Sequence, residues 1–206
     1  MDDNHLRPDA APAHLLAVLN DARRRLDHAA RDRHAAMHAP VVVTGDGDAR
    51  IMVLRGVDDD GGVLRFHTDQ RSPKVAQIDA DARLTVLAYE PQDRVQLRLT
   101  GAARVDRDGT MANAAWAAAS PLARRVYLVE SAPGAVLAQP GSTLPAALQT
   151  RRPTLAESEA GRDNFAVIVM RIEVIDWLQL GHEGGRRARF VRDAQGDGWQ
   201  GEWIAP

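Results

Sequence analysis

Eight consecutive residues, His67-Thr68-Asp69-Gln70-Arg71-Ser72-Pro73-Lys74, bring together two hydroxyls, an arginine and a lysine. Among 26 Lys and Arg residues, Lys74 is the only lysine. A chain that otherwise uses arginine keeps its single ammonium in a loop rich in anion-binding groups. A strand-like run ends at His67 and a helix-like run begins after Ser72. Backbone N–H groups at a helix start, hydroxyls and two cations make a cradle for phosphate. The same residues also spell a surface turn, with Ser72 capping the helix and Pro73 at its first position. Taken alone, the loop is compatible with both readings.

The flanking elements must position this loop. Residues 1–10 read as a ragged end. From Pro12 and Ala13 the chain is helical: Leu15, Val18, Leu19, Ala22 and Leu26 share one face of a 3.6-residue period. Alanines and arginines carry the helix to Met37, and Pro40 stops it. The period then changes to two. Val41–Thr44 is a short strand, 45–48 a turn, Arg50–Val57 a strand, 58–62 a hairpin loop and Val63–His67 its partner. A short helix over Ser72–Asp79 and a strand over Arg83–Tyr89 lead to a long strand over Arg94–Val105. In that strand Val95, Leu97, Leu99 and Ala103 share one face and Gln96, Arg98 and Thr100 the other, until Gly101 permits a bend.

Thr110–Glu130 reads as a helix in two pieces, split at Ser120-Pro121. Residues 132–159, rich in Pro, Gly, Ser, Thr and Ala, read as a long loop serving as a lid or a partner-facing arm. Phe165–Ile175 is a strand continued by Trp177–Leu180, and Arg187–Arg192 with Trp199–Ile204 form a closing hairpin. Short strands joined by tight turns and flanked by helices predict a mainly β, α+β fold built on an antiparallel barrel. The expected organisation is an N-terminal helical segment over 1–39 and a barrel domain over 40–206.

The bulk composition narrows the function classes. At 206 residues and 45% hydrophobic content the chain can bury one substantial core. No apolar run is long enough to span a bilayer, and the N-terminus lacks an apolar signal core. Zero cysteines exclude disulfides and thiolate catalysis, and the expected compartment is the cytoplasm. A net charge of −2 and a pI near 6.4 speak against a nucleic-acid binder with a broad basic face. The sequence has no Gly-x-Ser-x-Gly, Walker loop, His-Glu-x-x-His or dinucleotide-binding glycine fingerprint. His28, His34 and His38 have no acidic partner to orient them and read as solvent-facing, not as metal ligands. Asp46, Asp48, Asp58, Asp59 and Asp60 sit in turns, where turn chemistry accounts for them.

Three stretches in order resemble one family. Arg50-Ile51-Met52-Val53-Leu54-Arg55-Gly56, then Phe66 to Lys74, then Gln96-Leu97-Arg98-Leu99-Thr100-Gly101 look like the pyridoxamine 5′-phosphate oxidase family in order, spacing and hairpin context. Trp177, Arg189-Phe190 and Trp199 onward resemble that family's closing segment more loosely. The resemblance covers residues 40–105 well and 165–206 loosely. It implies an antiparallel split β-barrel that binds FMN at the interface of a homodimer. Arg50, Ile51, Met52, Val53, Leu54, His67 and Thr68 would line the flavin. Lys74 would hold its phosphate with Ser72, and Gln96, Trp177 and Arg189 would reach the ring system.

The departures from the family pattern concern the substrate half. Pro73 stands where the family has an arginine before the lysine, and Arg71 is the candidate to replace that contact. Arg55 stands at the family's substrate-phosphate lysine. The helix offers Trp116, Ser120 and Arg124 in a different order, and Arg187 lies in a closing segment without the family's histidine. Arg55, Trp116, Arg124 and Arg187 are thus the candidate substrate residues. The expectation is an FMN-dependent oxidoreductase acting on a small molecule other than pyridoxamine phosphate, with no metal. The alternatives are a non-catalytic flavin carrier or sensor, a true pyridoxamine or pyridoxine phosphate oxidase, and a haem-binding relative ligated by one of His5, His14, His28, His34 or His38.

Overall fold

The computed structural model describes residues 14–58, 61–181, 184–193 and 198–206. The ragged end over 1–10, His5, the helix-starting Pro12 and Ala13, and the turn carboxylates Asp59 and Asp60 lie outside the described residues. Helix α1 (Leu15–Arg31) buries Val18, Leu19, Ala22, Leu26 and Ala29, a single apolar stripe. It stops at Asp32, short of the expected Met37. Asp32 is extended (φ −110°, ψ 113°), and its carboxylate accepts the His34 N–H at 2.8 Å. A short acidic side chain bonding to the backbone two residues on competes with helical pairing. One 3-10 turn, Ala36–His38, is all that continues.

Strands β1 (Val41–Thr44), β2 (Ala49–Ile51), β3 (Leu54–Val57) and β4 (Val63–Asp69) follow. The expected strand over Arg50–Val57 is in fact two. β2 pairs with β1 and β3 pairs with β4, while the Met52 N–H donates to the Pro40 carbonyl at 3.0 Å. Next come α2 (Pro73–Ala80), β5 (Arg83–Glu90), β6 (Val95–Asp106), α3 (Thr110–Ala118), α4 (Pro121–Arg124), α5 (Ala146–Gln149) and α6 (Leu155–Glu159). Strands β7 (Phe165–Gln179), β8 (Arg186–Arg192) and β9 (Trp199–Ile204) complete the chain.

All pairing is antiparallel, in the order β2-β1-β5-β6-β7-β4-β3, with β8 and β9 added beside β7. The two ends of this path, β2 and β3, are consecutive in sequence but do not pair, so the sheet is a split barrel and not a closed one. The split runs through β7. One edge pairs with β6 along its length; the other pairs with β4 over Phe165–Arg171 and with β8 over Val174–Gln179.

Two cores result. The larger lies between α1 and the barrel and includes Leu26, Leu54, Phe66, Leu97, Leu99, Ile175, Trp177 and Phe190. The smaller sits under α3, where Ala112 and Trp116 pack on Tyr127, Phe165, Val167 and Val169. The segment 132–159 is less bare than its composition suggests. It contains α5 and α6, and a capping box between Thr154 and Glu157 starts the latter. Arg125 donates to the Leu148 carbonyl at 2.6 Å, and Glu130 N–H to Thr143 at 2.8 Å, which ties the segment down at both places.

Gly101 sits at the register shift between β6 and β7, and a Cβ there would lie 2.0 Å from the Arg171 carbonyl oxygen. Both partners are backbone in the sheet centre, so neither can yield without breaking pairing. Gly101→Ala is expected to destabilise the fold by about 3 kcal/mol, read as a lower urea midpoint at unchanged slope.

Candidate functional site

The loop after β4 is built on hydroxyls turned inward. Thr68 and Ser72 are 4% and 2% exposed, with their oxygens 3.2 Å apart. Ser72 occupies the position before α2 but does not cap it: its hydroxyl donates to the Asp69 carbonyl at 2.7 Å and accepts from Lys74 Nζ at 3.0 Å. With Pro73 first, the amino end of α2 has no side-chain cap, and the Val75 N–H closes on the Ser72 carbonyl at 3.0 Å. This corrects the expected Ser72 cap. The serine instead fixes the lysine.

Beside Lys74 stands Arg50. Its guanidinium bonds Thr44 Oγ1 at 3.2 Å, Gln77 Oε1 at 3.1 Å and the Asp48 carboxylate. Burial, with Arg50 adjacent, lowers the Lys74 pKa from its ordinary value. Two cations are thus held together at a helix amino end, a combination that favours an anion. Both line a cavity of about 650 Å³ with Ile51, Met52, Val53, Arg55, His67, Tyr127 and Gly134.

A second cavity of about 860 Å³ adjoins it and shares Arg55, His67, Val126 and Tyr127. His67 therefore faces both. Its ring meets Phe165 edge-on at 5.0 Å. Burial, helped by Arg55 and Arg65, pushes the imidazole down to about 4. Tyr127 meets the other side of Phe165 at 5.0 Å, and burial pushes its hydroxyl up to about 12. Neither group carries charge near neutrality.

The residues singled out in the sequence divide into three sets. Arg50, Ile51, Met52, Val53, His67, Thr68, Ser72 and Lys74 come together at the first cavity, and Arg55 lies between the two. Leu54, at 1% exposure, belongs to the main core, because alternation along the strand points it inward. Arg71 does not line the cavity. It forms a fork with Asp69 and reaches across to the carbonyls of Val129 and Glu130, so its donors hold the 129–130 turn.

Trp177 is fully buried, and its indole N–H donates to Asp21 of α1 at 3.1 Å. It joins helix to barrel and has no surface to offer a flavin. Trp116 and Arg124, expected at the substrate, are also buried. Trp116 donates to Glu159 at 3.0 Å, and Arg124 pairs with Glu159 and donates to the Trp116 carbonyl at 2.7 Å. The carboxylate of α6 consumes both. Gln96 lies beside Tyr89 and Leu178, at the opposite end of β6 from the loop. Arg189 and Arg187 lie on the same outward face, where Arg187 and Arg98 both bond Asp176. None of these three lines the first cavity.

Some lining residues escaped the sequence reading. Gly134, with φ of +86°, approaches the Pro73 ring at 3.5 Å by its Cβ position, so the 132–159 segment overhangs the loop. The Pro133-Gly134 pair was a visible turn signal. Gln77 and Asp48, which hold Arg50, and Arg65, which alternates with Leu64 and Phe66, were also there to be read. No group of three metal-ligating side chains occurs among the described residues, and His38 instead bonds the Ala29 carbonyl at 2.7 Å.

The class is defined by a split barrel of antiparallel strands with a cavity lined by Lys74 and Arg50 at the end of one hairpin. Residues 17–107 match the family model described as pyridoxamine 5′-phosphate oxidase, FMN-binding domain. No curated protein matches the chain. Among solved structures, a pyridoxamine 5′-phosphate oxidase-related, FMN-binding protein from Nostoc punctiforme is 24% identical, with TM-score 0.64 over 96% of this chain and 99% of that one. PhzG from Burkholderia lata, in complex with tetrahydrophenazine-1-carboxylic acid, is 18% identical, with TM-score 0.66 over 98% of each chain. A protein from Clostridium acetobutylicum related to general stress protein 26 is 11% identical, with TM-score 0.51 over 83% and 93%. At these identities the likeness is one of fold. No helix of the described residues is long and apolar enough to cross a membrane.

The depressed His67 pKa ties stability to pH. The unfolded chain takes up this proton more readily, so the neutral ring's contribution is complete above pH 6.5 and drains as pH falls toward about 4. His67→Phe keeps an aromatic ring against Phe165 and removes the proton site. Wild type should lose up to about 3 kcal/mol more than the variant between these pH values, measured by chemical denaturation at each pH. Parallel curves would remove the assignment.

Proposed function

We propose that the chain is an FMN-dependent oxidoreductase acting as a homodimer on a small molecule, and that the cavity of about 650 Å³ takes the cofactor. The observation that carries this is the Lys74–Arg50 pair at the uncapped amino end of α2. Lys74, steadied by Ser72, and Arg50, steadied by Gln77 and Thr44, would hold the FMN phosphate with the first amides of α2. Ile51, Met52, Val53 and His67 would lie along the flavin, Ile51 offering 70% of its surface. The bound flavin would supply the hydride or electron transfer. The protein binds it, orients it and keeps uncharged groups, His67 and Tyr127, beside it. No separate acid–base residue is required.

The homodimer is supported by the sheet's outward face. Ile51, Val41, Leu87, Arg98, Asp176 and Arg189 are register partners in one row across β2, β1, β5, β6, β7 and β8. Ile51, Leu87 and Tyr89 on this face are 70%, 37% and 44% exposed. Gln96 and Arg189 share the face but stand away from their own chain's cavity. A two-fold axis that stacks two such faces would bring them to the partner's cavity. Polar donors there would stabilise charge on the reduced ring.

Purified chain should carry FMN, visible as flavin absorbance and identified by chromatography of the released cofactor. Lys74→Ala should weaken FMN binding at least about tenfold, the loss of one charge-assisted contact; unchanged affinity would remove the phosphate role. Ile51→Asp should turn the dimer into a monomer in light scattering and lower FMN content with it. A monomeric wild type that still holds FMN tightly would sink the interface reading.

A further inference from the structure

The 860 Å³ cavity has walls of opposite character. On one side, the α3–α4 region presents five alanines with Met111, Leu122 and Val126, the last two 45% and 62% exposed; its hydroxyls are those of Thr110 and of Ser120, which accepts the Ala123 N–H at 3.2 Å. The helix's two large polar-capable residues, Trp116 and Arg124, are turned to the other side and held by Glu159. On the opposite wall stand Arg55 and Arg65, whose guanidiniums form no hydrogen bond or ion pair among the described residues.

The backbone is specialised to place these two guanidiniums. Leu54 pairs with Phe66 and Gly56 with Arg65, leaving Arg55 as the extra residue of a bulge. Bulges re-aim a side chain and recur beside active sites. Gly56 leaves room for the other: a Cβ there would lie 2.6 Å from Arg65 Nε. Among the described residues most arginines are matched by a carboxylate or carbonyl; these two instead stand side by side on one wall of a cavity, facing an aliphatic surface, which marks a ligand position. His67, neutral for the reasons above, adds no competing charge.

We infer that this cavity is the substrate site and that it takes a flat, apolar, ring-sized carboxylate, its ring on the alanine wall and its carboxylate on Arg55 and Arg65. This rests on the FMN reading, since the shared Arg55, His67, Val126 and Tyr127 set the ligand beside the cofactor cavity. Two planar forks suit the two oxygens of a carboxylate. The phosphate-type set of convergent hydroxyls, lysine and helix amino end is in the neighbouring cavity instead. The volume is that of sites for small organic ligands.

The test is equilibrium dialysis of FMN-loaded protein against 1-naphthoate, with 1-naphthalenemethanol and inorganic phosphate as comparisons. The expected result is retention of naphthoate, at least tenfold weaker retention of the neutral alcohol, and no displacement by equimolar phosphate. Arg65→Gln should weaken naphthoate at least tenfold. Ala118→Phe, at an exposed position, should abolish it by filling the cavity. Both variants should keep wild-type flavin absorbance and melting temperature. Equal retention of alcohol and carboxylate, displacement by phosphate, or naphthoate binding that survives Ala118→Phe would overturn the inference. A protein that takes up no FMN but passes the naphthoate arms would overturn the cofactor reading and uphold this cavity.

Discussion

Everything in this structure depends on one strand, β7, changing partners along one edge. Over Phe165–Arg171 it bonds β4, and over Val174–Gln179 it bonds β8. The change falls where β6 shifts register at Gly101, whose Cα approaches the Arg171 carbonyl too closely for any side chain. β4 pairs with this half of β7 up to Asp69 and runs from there into the loop that ends at Lys74. The other half of β7 builds the flat outward face with β6 and β8. One close backbone contact thus separates the phosphate-type loop from Gln96 and Arg189. That separation is why the cofactor residues expected from sequence do not meet within a single chain.

Charge is used in two ways. Most arginines are spent on structure: Arg71 pins the 129–130 turn through Asp69, Arg124 is consumed by Glu159, and Arg98 and Arg187 share Asp176. Planar forks suit such pairings because each can satisfy two acceptors in a fixed plane. Lys74 does a different job. A compact ammonium loses more on burial than it gains from a serine, and its lowered pKa expresses that unmet demand. Burial and the adjacent Arg50 act against its charge, Asp69 and Asp48 favour it, and the net direction is down. Asp21 is the counterexample: its carboxylate, 4% exposed, takes bonds from Arg24, Arg25 and Trp177 and closes the α1 interface with nothing left over.

Much of the fold was legible because alternation along a strand is a local property. Val95, Leu97 and Leu99 had to face inward together, and turns visible as glycine and aspartate separated the strands along the chain. The loop at 67–74 was legible for the same reason, since its chemistry sits in consecutive residues. Boundaries set by side chains closing on distant or nearby backbone were not. Asp32 ends α1 through His34, and the Met52 N–H leaves the strand pattern for Pro40. Neither alters the apolar period. Trp177 and Trp116 were illegible in another sense: a tryptophan between a core and a site looks the same in sequence, and only the partners Asp21 and Glu159 decide.

The carboxylate of Glu159 decides which side of α3 and α4 is left facing the second cavity. By drawing Trp116 and Arg124 through the smaller core, it rotates the polar side of α3 and α4 away from the cavity. What remains on the cavity side is mostly alanine with Met111 and Leu122, a surface suited to flat apolar matter, with the hydroxyls of Thr110 and Ser120 beside it. The cations needed there come from the sheet instead, where the bulge at Arg55 and the bare Cα of Gly56 make room for two guanidiniums. The cofactor half depends on a helix amino end and stays where the loop puts it. The lining of the second cavity depends on which face of two short helices is inward, and the bonds from buried Trp116 and Arg124 to the half-exposed Glu159 hold that choice.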